Sequence, residues 1–205
     1  MIIDIDPQSI DTRKIKTIVK HLNNDGIAIV PTDTVYAVVC KLHSSKALNT
    51  LASFKKEKLN KLKFSLLLHD FTQLAAYTAP IDRPLFRLIK NNLPGPFTFI
   101  LKANIQVAKL FSSKKNEIGM RIPDNTIIAA ILDELGQPLA STSLHHLNDE
   151  VRVYYSDPTE IYDHFSTTVD LIVFGGMGNL NHSTVVDCSE DKVTITRQGL
   201  GILNE

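Results

Sequence analysis

Hydroxyl and carboxyl side chains directly follow a strand that the sequence predicts to be buried. The apolar run Ile27–Val30 ends at a proline, after which come Thr32, Asp33 and Thr34. Because open α/β sheets bind ligands at strand ends, Thr32 and Thr34 are candidate ligand contacts. Thr and Asp are also favoured helix caps, so these residues could instead begin a helix. Tyr36 is either a further contact or a core aromatic with a bonded hydroxyl.

The strongest local excess of positive charge lies in residues 55–63. This stretch begins with Lys55 and Lys56 and contains five lysines and one glutamate. Such a run can hold phosphates, or follow a nucleic-acid backbone, through charge and hydrogen bonds. The alternative is a solvated, lysine-rich loop.

Arg121 interrupts an otherwise apolar strand that we predict over residues 118–122. A buried guanidinium without a partner is too costly to be tolerated. Arg121 therefore either reaches a cleft that binds a specific anion or pairs with an acidic side chain of the protein.

Two further polar segments are suited to contacting a ligand. Ser141 and Ser143 end an apolar strand predicted over residues 139–143, and they either contact a ligand or begin a turn. Residues 175–178 read GGMG and lie close to Ser183, so they favour a turn or a close backbone approach to a phosphate. No GxSxG motif is present, and we predict no catalytic nucleophile.

The histidines and cysteines give no sign of a metal or redox site. The seven histidines are scattered without ligand spacing, and His145 and His146 do not by themselves make a triad. Cys40 and Cys188 lack CxxC spacing, so we expect both to be reduced. We predict no metal site, although Mg²⁺ could accompany a bound nucleotide through its phosphates and water.

Composition favours one globular domain over residues 1–205. The chain is 43% hydrophobic and 21% charged, which is close to the globular average. Its 22 basic and 22 acidic residues cancel, so overall charge favours neither a nucleic-acid nor a membrane partner. The sequence shows no signal peptide and no apolar stretch long enough to span a membrane, so we expect a soluble, cytoplasmic protein.

Strands and helices alternate along the chain, which predicts an α/β fold with a mixed sheet. The hydrophobic periodicity and the turn residues place helices at 12–24, 44–55, 70–77, 84–91 and 125–135. The predicted strands are 27–30, 64–68, 97–101, 118–122, 139–143, 169–174, 184–187 and 193–197, and residues 36–41 are either a further strand or the approach to a helix.

Seven segments in order resemble the YrdC family. They are PTDTVYA (31–37), the lysines before FSLLL (64–68), LPGPFTFIL (93–101), IGMRIPD (118–124), STS (141–143), STVVD (183–187) and RQG (197–199). GMRIPDN and ASTSLHH look more like the YciO branch. The resemblance implies a twisted mixed sheet flanked by helices, with a concave basic face.

The resemblance also implies a function. Characterised members of the family are described as threonylcarbamoyl-AMP synthases, which join L-threonine, bicarbonate and ATP and release pyrophosphate. Their product feeds the modification of adenosine 37 in tRNA. Binding of double-stranded RNA is also attributed to the family.

On the amino-acid side of the implied site, Thr32 and Thr34 match the strand-end motif that holds the substrate, with Tyr36 beside them. Arg121 matches the arginine that meets the threonyl carboxylate or the intermediate. Ser183 matches the substrate-side serine of the STV segment.

On the nucleotide side, Lys55 matches the second basic residue of the family's KxR motif, and Lys56 is its neighbour in the lysine run. Ser141 and Ser143 fall where the family uses SAN to contact the nucleotide. Arg197 matches the late arginine that reaches the nucleotide.

Two departures from the family pattern leave a choice between functions. Ser53 stands where the first basic residue of KxR is expected, and Leu68 stands where synthases have a histidine that contacts threonine. The chain is therefore expected to be either a synthase-like enzyme or a protein that binds double-stranded RNA or tRNA without full synthase activity.

Overall fold

The structure is a computed structural model of the 205-residue chain. It describes residues 1–59, 64–105, 107, 116–144, 154–190 and 192–204. Lys61 and Lys63 of the lysine run, and the pair His145 and His146, lie outside the described residues. Within that part of the chain, no helix is both long enough and apolar enough to cross a membrane.

The described residues form ten strands and six helices. The strands are β1 Ile2–Asp4, β2 Ile27–Val30, β3 Ala37–Lys41, β4 Ser65–Leu67, β5 Phe97–Lys102, β6 Glu117–Arg121, β7 Leu139–Ser143, β8 Leu171–Phe174, β9 Thr184–Asp187 and β10 Thr194–Arg197. The helices are α1 Thr12–Asn23, α2 Ser45–Phe54, α3 Phe71–Tyr77, α4 Arg83–Asn92, α5 Thr126–Leu135 and α6 Pro158–Phe165.

All ten strands join one mixed sheet, which confirms the predicted fold class. Their order is β1-β8-β2-β3-β7-β4-β6-β5-β9-β10. The pairs β1/β8, β8/β2, β4/β6 and β5/β9 are parallel, and the remaining neighbours are antiparallel. Strands that are distant in sequence are therefore adjacent in the sheet.

Each helix begins where the sequence supplies a capping side chain. The capping oxygens accept hydrogen bonds from backbone N–H groups of the first turn, which otherwise lack partners. The caps are Asp11, Ser44, Asp70, Asp82, Asn125 and Asp157, in the order of the helices. At the other end of α5, Gly136 adopts φ 67°, the left-handed conformation that glycine accepts without strain.

Two hydrophobic clusters cover the two faces of the sheet. We call the face packed by α2, α3, α4 and α6 the α2 face, and the face packed by α1 and α5 the α5 face. Along β2, Ile27 and Ile29 point to the α2 face, while Ala28 and Val30 point to the α5 face. This double burial is what the continuous apolar run predicts.

The cluster on the α5 face stops partway across the sheet. It extends from β1 to Leu67 of β4 and, among the described residues, includes none from β5, β6, β9 or β10. Beyond Leu67 the same face carries mainly small and polar side chains, with Ile100 and Val185 as apolar exceptions, and the candidate site lies there.

Two elements were missed by the sequence reasoning. Strand β1 is three residues long and, among the described residues, pairs with β8 alone, so Ile27–Val30 is the second of the described strands. Helix α6 has only Ile161 and Phe165 buried, which is too few to show a period, although its Asp157 cap and Pro158 start are ordinary helix signals.

The end of the described chain is held by hydrogen bonds to earlier elements. The Thr184 hydroxyl donates to Gly201 O at 2.6 Å, and Gly199 N donates to that hydroxyl at 2.9 Å. The side-chain amide of Asn92 donates to the backbone oxygen of Asn204 and accepts from the backbone N–H of Asn204, both at 2.8 Å. Residues 198–204 therefore lie against β9 and the end of α4.

Candidate functional site

The loop after β2 is a tight polar turn. Because Val30 pairs with Ala37, the chain must reverse within residues 31–36. The Thr32 hydroxyl donates to Val35 O at 2.8 Å and accepts from Thr34 N at 3.1 Å. The turn leads directly into β3, so the alternative that these residues begin a helix is wrong.

Arg121 reaches this turn from β6. Its Nη2 lies 2.8 Å from Asp33 Oδ1 and donates to Thr34 Oγ1 at 2.9 Å. The Thr34 hydroxyl also lies 3.2 Å from that of Thr32. Arg121 therefore pairs with an acidic side chain of the protein, and the same contact brings it to both candidate threonines.

The Asp33–Arg121 ion pair is almost completely removed from solvent. The side chains are 8% and 9% exposed. Burial lowers the pKa of the Arg121 guanidinium, and the charge and hydrogen bond of Asp33 oppose that shift. Two buried atoms of the pair, Asp33 Oδ2 and Arg121 Nε, have no hydrogen-bond partner among the described residues. The pair is therefore only half satisfied.

A row of small side chains runs across the α5 face from β7 to β9. Ser141 Oγ donates to Ser65 O at 3.0 Å, and Ser65 pairs with Gly119. A Cβ on Gly119 would lie 2.9 Å from Thr98 Cγ2 and 3.2 Å from Ser65 Cβ. The Thr98 hydroxyl lies 2.7 Å from that of Ser183.

This row of Ser141, Ser65, Gly119, Thr98 and Ser183 is the floor of the candidate site. Its members Ser141, Thr98 and Ser183 are buried, while Ser65 and Gly119 are half-buried. Arg121 lies two residues beyond Gly119 on the same face, because alternate residues of a strand share a face.

Ser183 and Arg197 form a second polar cluster at the far end of the floor. Arg197 Nη2 donates to Ser183 O at 2.9 Å and to Ser183 Oγ at 3.3 Å. The two residues thus lie next to each other, and the guanidinium is oriented by the backbone that precedes β9. A fixed guanidinium is suited to binding phosphate or carboxylate.

Tyr36 fixes the glycine-rich loop beside the turn. Its hydroxyl donates to Gly176 O at 2.7 Å and accepts from Gly175 N at 3.3 Å. Burial raises the pKa of Tyr36, so the phenol stays protonated as a donor. A Cβ on Gly178 would lie 2.7 Å from the Tyr36 ring. Tyr36 is fully buried and its hydroxyl holds the glycine-rich loop, while its role as a substrate contact stays a prediction.

The turn and the glycine-rich loop border an open surface depression of about 510 Å³. Thr32 and Asp33 form one wall, and residues 177–181 form the other. Asn179 N donates to Thr34 O at 3.2 Å and joins the two walls. Met177 and Leu180 are 70% and 63% exposed, so the rim is apolar while the inner wall is polar.

The candidate lysines lie at the C-terminal end of α2, the helix that packs on the α2 face of the sheet. Lys55 caps the C-terminal end of α2 and is only 9% exposed, while Lys56 is exposed and has φ 55°. Strands β3 and β4 are both antiparallel to β7, so they run in the same direction and α2 returns between them. This crossover carries Lys55 toward the end of the sheet where Ala37 and Ser65 lie.

The two departures from the family pattern occupy different surroundings. Ser53 is exposed in the last turn of α2, two residues before Lys55. Leu68 is fully buried within the hydrophobic cluster of the α2 face. Its side chain therefore contributes to packing.

The structure brings five of the predicted residues into two clusters, and the floor runs between the clusters. Thr32, Thr34 and Arg121 meet at the turn, while Ser183 and Arg197 meet at the far end. Ser141 lies on the floor with its hydroxyl bonded to Ser65 O, and Ser143 follows on the same strand face. Among the described residues, no group of three His, Cys, Asp or Glu side chains is arranged to hold a metal ion.

Sequence reasoning missed Asp33, Ser65, Thr98 and Gly119 as site residues. Thr98 gave a usable signal, since it is the one polar residue within the apolar run 97–101. Gly119 gave another, because a glycine inside a strand marks a close approach. Asp33 was considered only as part of the segment after β2. Its pairing with Arg121 is a tertiary contact that no local pattern indicates.

The protein is therefore an α/β protein with one mixed sheet, a polar row on the α5 face of that sheet, and an open depression between the turn and the glycine-rich loop. Residues 20–199 match the Sua5/YciO/YrdC family model, whose description is "Telomere recombination". The chain belongs to this family, as its motifs indicated.

The relatives are consistent with the YciO branch. The chain is 36% identical over 198 residues to "Uncharacterized protein YciO" of Escherichia coli K12, covering 96% of this chain and 94% of the relative. The crystal structure of E. coli YciO superposes with a TM-score of 0.89 at 35% identity, over 98% of this chain and 97% of that chain. P. abyssi Sua5 complexed with L-threonine shares the fold, with a TM-score of 0.87 at 20% identity over 97% of this chain and 57% of that chain.

Proposed function

We propose that this protein binds L-threonine and ATP and acts as a threonylcarbamoyl-AMP synthase-like enzyme of the tRNA threonylcarbamoyladenosine pathway. The observation that carries the proposal is the buried cluster in which Arg121 meets Asp33 and Thr34 beside an open depression. The L-threonine complex of P. abyssi Sua5, a protein of the same fold, supports a small amino acid as the ligand.

In the proposed reaction, the amine of threonine and bicarbonate form a carbamate with loss of water. A carbamate oxygen then attacks the α-phosphorus of ATP, and pyrophosphate leaves. The residues act by positioning and by neutralising charge, with no covalent protein nucleophile. Arg121 meets the threonyl carboxylate, while Lys55 and Arg197 stabilise the charge that develops on the phosphates.

The nucleotide is proposed to lie along the floor. Ser141 and Ser143 are on the strand face that leads from the turn, and Arg197 is oriented at the far end by Ser183. Lys55 and Lys56 approach from the end of α2. Mg²⁺ would accompany the nucleotide through its phosphates and water.

A second candidate function is binding of double-stranded RNA or tRNA without full synthase activity. The observation that favours it is the lysine run after α2, of which Lys56 and Lys58 are exposed. Phosphate contacts release counterions, so such binding would weaken steeply as the salt concentration rises. Binding to an RNA duplex that is insensitive to salt would exclude this second function.

The proposed enzyme is tested by titrating the protein with ATP and Mg²⁺, with and without L-threonine and bicarbonate, while following heat and released pyrophosphate. We expect pyrophosphate release that depends on threonine. ATP binding without turnover, together with salt-sensitive binding to RNA, would favour the second function. Release of pyrophosphate that is independent of any amino acid would contradict the proposed substrate.

The nucleotide residues are tested by an Arg197→Gln variant, with Arg87→Gln as its matched control. Arg87 is an exposed arginine on α4, so its replacement removes the same charge away from the site. We expect Arg197→Gln to weaken ATP binding about tenfold or more, since charged hydrogen bonds to phosphate are strong. Equal ATP affinities of the two variants would remove Arg197 from the site.

A further inference from the structure

Thr184 places a buried hydroxyl on the opposite face of the sheet from the floor. It follows Ser183 directly and begins β9, where it pairs with Phe97, a member of the hydrophobic cluster on the α2 face. Because successive residues of a strand point to opposite faces, the Thr184 side chain lies on the α2 face, while Ser183 meets Thr98 on the floor. Thr184 is fully buried, so it does not contact a molecule bound on the floor.

The Thr184 hydroxyl uses all of its hydrogen-bonding capacity on the segment that follows Arg197. It donates to Gly201 O at 2.6 Å, and it accepts from Gly199 N at 2.9 Å and from Gln198 Nε2 at 3.3 Å. A hydroxyl has one donor and two acceptor positions, so this one is saturated. Gln198 Nε2 also donates to Gly201 O at 2.7 Å and closes the network.

The backbone next to Thr184 holds the side chain of Arg197. Arg197 Nε and Nη2 donate to Ser183 O at 3.3 and 2.9 Å, and this oxygen belongs to the peptide group that joins Ser183 to Thr184. A Cβ on Gly199 would lie 2.6 Å from the same oxygen. The backbone after Arg197 therefore packs directly on the carbonyl group that orients the guanidinium.

We propose that Thr184 is a positioning residue that orients Arg197 toward a phosphate of the bound nucleotide. Its hydroxyl fixes the backbone that follows Arg197, and its peptide group contains the carbonyl that holds the guanidinium. Fixing a long side chain before the ligand arrives reduces the entropy that binding must remove. This inference rests on the proposed function, because it describes how the same site keeps Arg197 oriented for ATP.

A purely structural role for Thr184 makes a different prediction. If its hydrogen bonds only stabilised the fold, their loss would lower the free energy of unfolding and leave the ATP affinity of the folded protein unchanged. A positioning residue acts through Arg197, so its loss should matter only while Arg197 is present. The coupling between the two residues in a double-mutant cycle therefore separates the two roles.

The test measures the binding of ATP with Mg²⁺ by calorimetry for the wild type, Thr184→Val, Thr184→Ser, Arg197→Gln and the double variant Thr184→Val with Arg197→Gln. Thr184→Val removes the hydroxyl, while Thr184→Ser keeps it. Thr78→Val is the matched control, because it removes another buried threonine hydroxyl, which donates to Leu74 O at the end of α3. Circular dichroism and thermal unfolding establish that each variant is folded.

We expect Thr184→Val to weaken ATP binding about tenfold, and Thr184→Ser and Thr78→Val to stay within about twofold of the wild type. In the Arg197→Gln protein, Thr184→Val should have almost no further effect on ATP affinity. Wild-type affinity in Thr184→Val overturns the inference. A loss of affinity in Thr184→Val that is equally large with and without Arg197 overturns it as well.

Nuclear magnetic resonance measures the orientation of Arg197 without a ligand. The proton signal of its Nε–H group is assigned by its loss in Arg197→Gln. We expect this proton to exchange with water faster in Thr184→Val than in the wild type and Thr78→Val, because the bond to Ser183 O opens more often. Equal exchange rates in all three proteins overturn the inference.

The two proposals fail in different ways. If the wild type does not bind ATP, the proposed function fails, and the role of Thr184 in nucleotide binding fails with it. If the wild type binds ATP and Thr184→Val binds it equally well, the proposed function stands and the inference alone fails.

An unfolded Thr184→Val leaves the decision to Gln198→Ala. This change removes an exposed side chain that donates to the Thr184 hydroxyl and to Gly201 O. We expect Gln198→Ala to weaken ATP binding about threefold or more, the scale of one neutral hydrogen bond. Wild-type affinity in the folded Gln198→Ala protein overturns the inference.

Discussion

The carboxylate of Asp33 and the guanidinium of Arg121 form an ion pair of 2.8 Å between side chains 88 positions apart in the sequence. The contact ties the turn after β2 to the end of β6, two strands that are not neighbours in the sheet. Each charge is buried beside the other, so removing one of them leaves the other buried without its charge partner.

Breaking this ion pair should destabilise the fold. Arg121→Met keeps most of the volume but leaves the Asp33 carboxylate buried and unpaired, so we expect a loss of about 3–5 kcal/mol in the free energy of unfolding. The double variant Asp33→Asn with Arg121→Met should recover more than half of this loss. Urea denaturation of the wild type and these variants measures both values. A loss below about 1 kcal/mol for Arg121→Met would contradict the burial of the pair.

Gly119 should be sensitive to a single added methyl group. Gly119→Ala places a Cβ against Thr98 Cγ2 and Ser65 Cβ, and we expect a loss of about 1–3 kcal/mol from overpacking. Thr98→Ser removes the methyl group but keeps the hydroxyl that faces Ser183. The double variant should therefore be more stable than Gly119→Ala alone. The unfolding midpoints of the three variants measure this. If the double variant is no more stable than Gly119→Ala, a contact other than the one with Thr98 Cγ2 causes the overpacking at Gly119.

Removing the Tyr36 hydroxyl should loosen the glycine-rich loop. Tyr36→Phe loses the bond to Gly176 O, which costs about 0.5–1.5 kcal/mol for a neutral hydrogen bond. We expect the amides of Gly178 and Asn179 to exchange hydrogen faster, because the loop opens more often. Tyr77→Phe is the matched control, since the Tyr77 hydroxyl bonds to His43 on an exposed surface. Equal exchange in the two variants would show that Tyr36 does not hold the loop.

Alkaline pH should destabilise the protein through Cys40. Burial raises the pKa of Cys40 from 9.0 to about 12. The folded state therefore keeps the thiol proton that the unfolded chain releases, so this stabilisation is complete below about pH 9 and is lost as the pH rises toward 12. Between about pH 8 and 10.5 we expect the wild type to lose about 2 kcal/mol more than Cys40→Ala.

Denaturation of both proteins at the two pH values measures this difference. Burial and the charge of Asp187 raise the pKa of Cys188 to about 11, and because Cys188 is present in both proteins its contribution cancels. Identical pH dependences of the wild type and Cys40→Ala would contradict the burial of the Cys40 thiol.

Much of the fold could be read from local patterns. The run Ile27–Val30 indicated a strand buried on both faces, and Asn125 with Gly136 marked the two ends of α5. Strand β1 could not be found because its three residues are too few to show a period. The order of the strands in the sheet could not be predicted either, since it depends on which strands, far apart in the sequence, pair with each other.

The candidate site was predictable in parts. Hydroxyls at strand ends and an arginine in an apolar strand identified Thr32, Thr34 and Arg121, because such residues are costly there without a partner. Local patterns could not show whether Arg121 binds a ligand or pairs with an acidic side chain of the protein. In the structure, Arg121 pairs with Asp33. The sequence allowed Tyr36 to be either a ligand contact or a core aromatic. In the structure, hydrogen bonds to the distant glycine-rich loop fix its position.

The place of β2 in the sheet has a consequence for synthesis on the ribosome. This strand is complete at residue 30, and its neighbour β3 follows by residue 41, but its other neighbour β8 begins only at residue 171. At roughly 5–20 residues per second, translation leaves one edge of an apolar strand bare for roughly ten seconds or more. The nascent chain therefore exposes Ile27–Val30 as a site for chaperone binding or for aggregation until its C-terminal third has emerged.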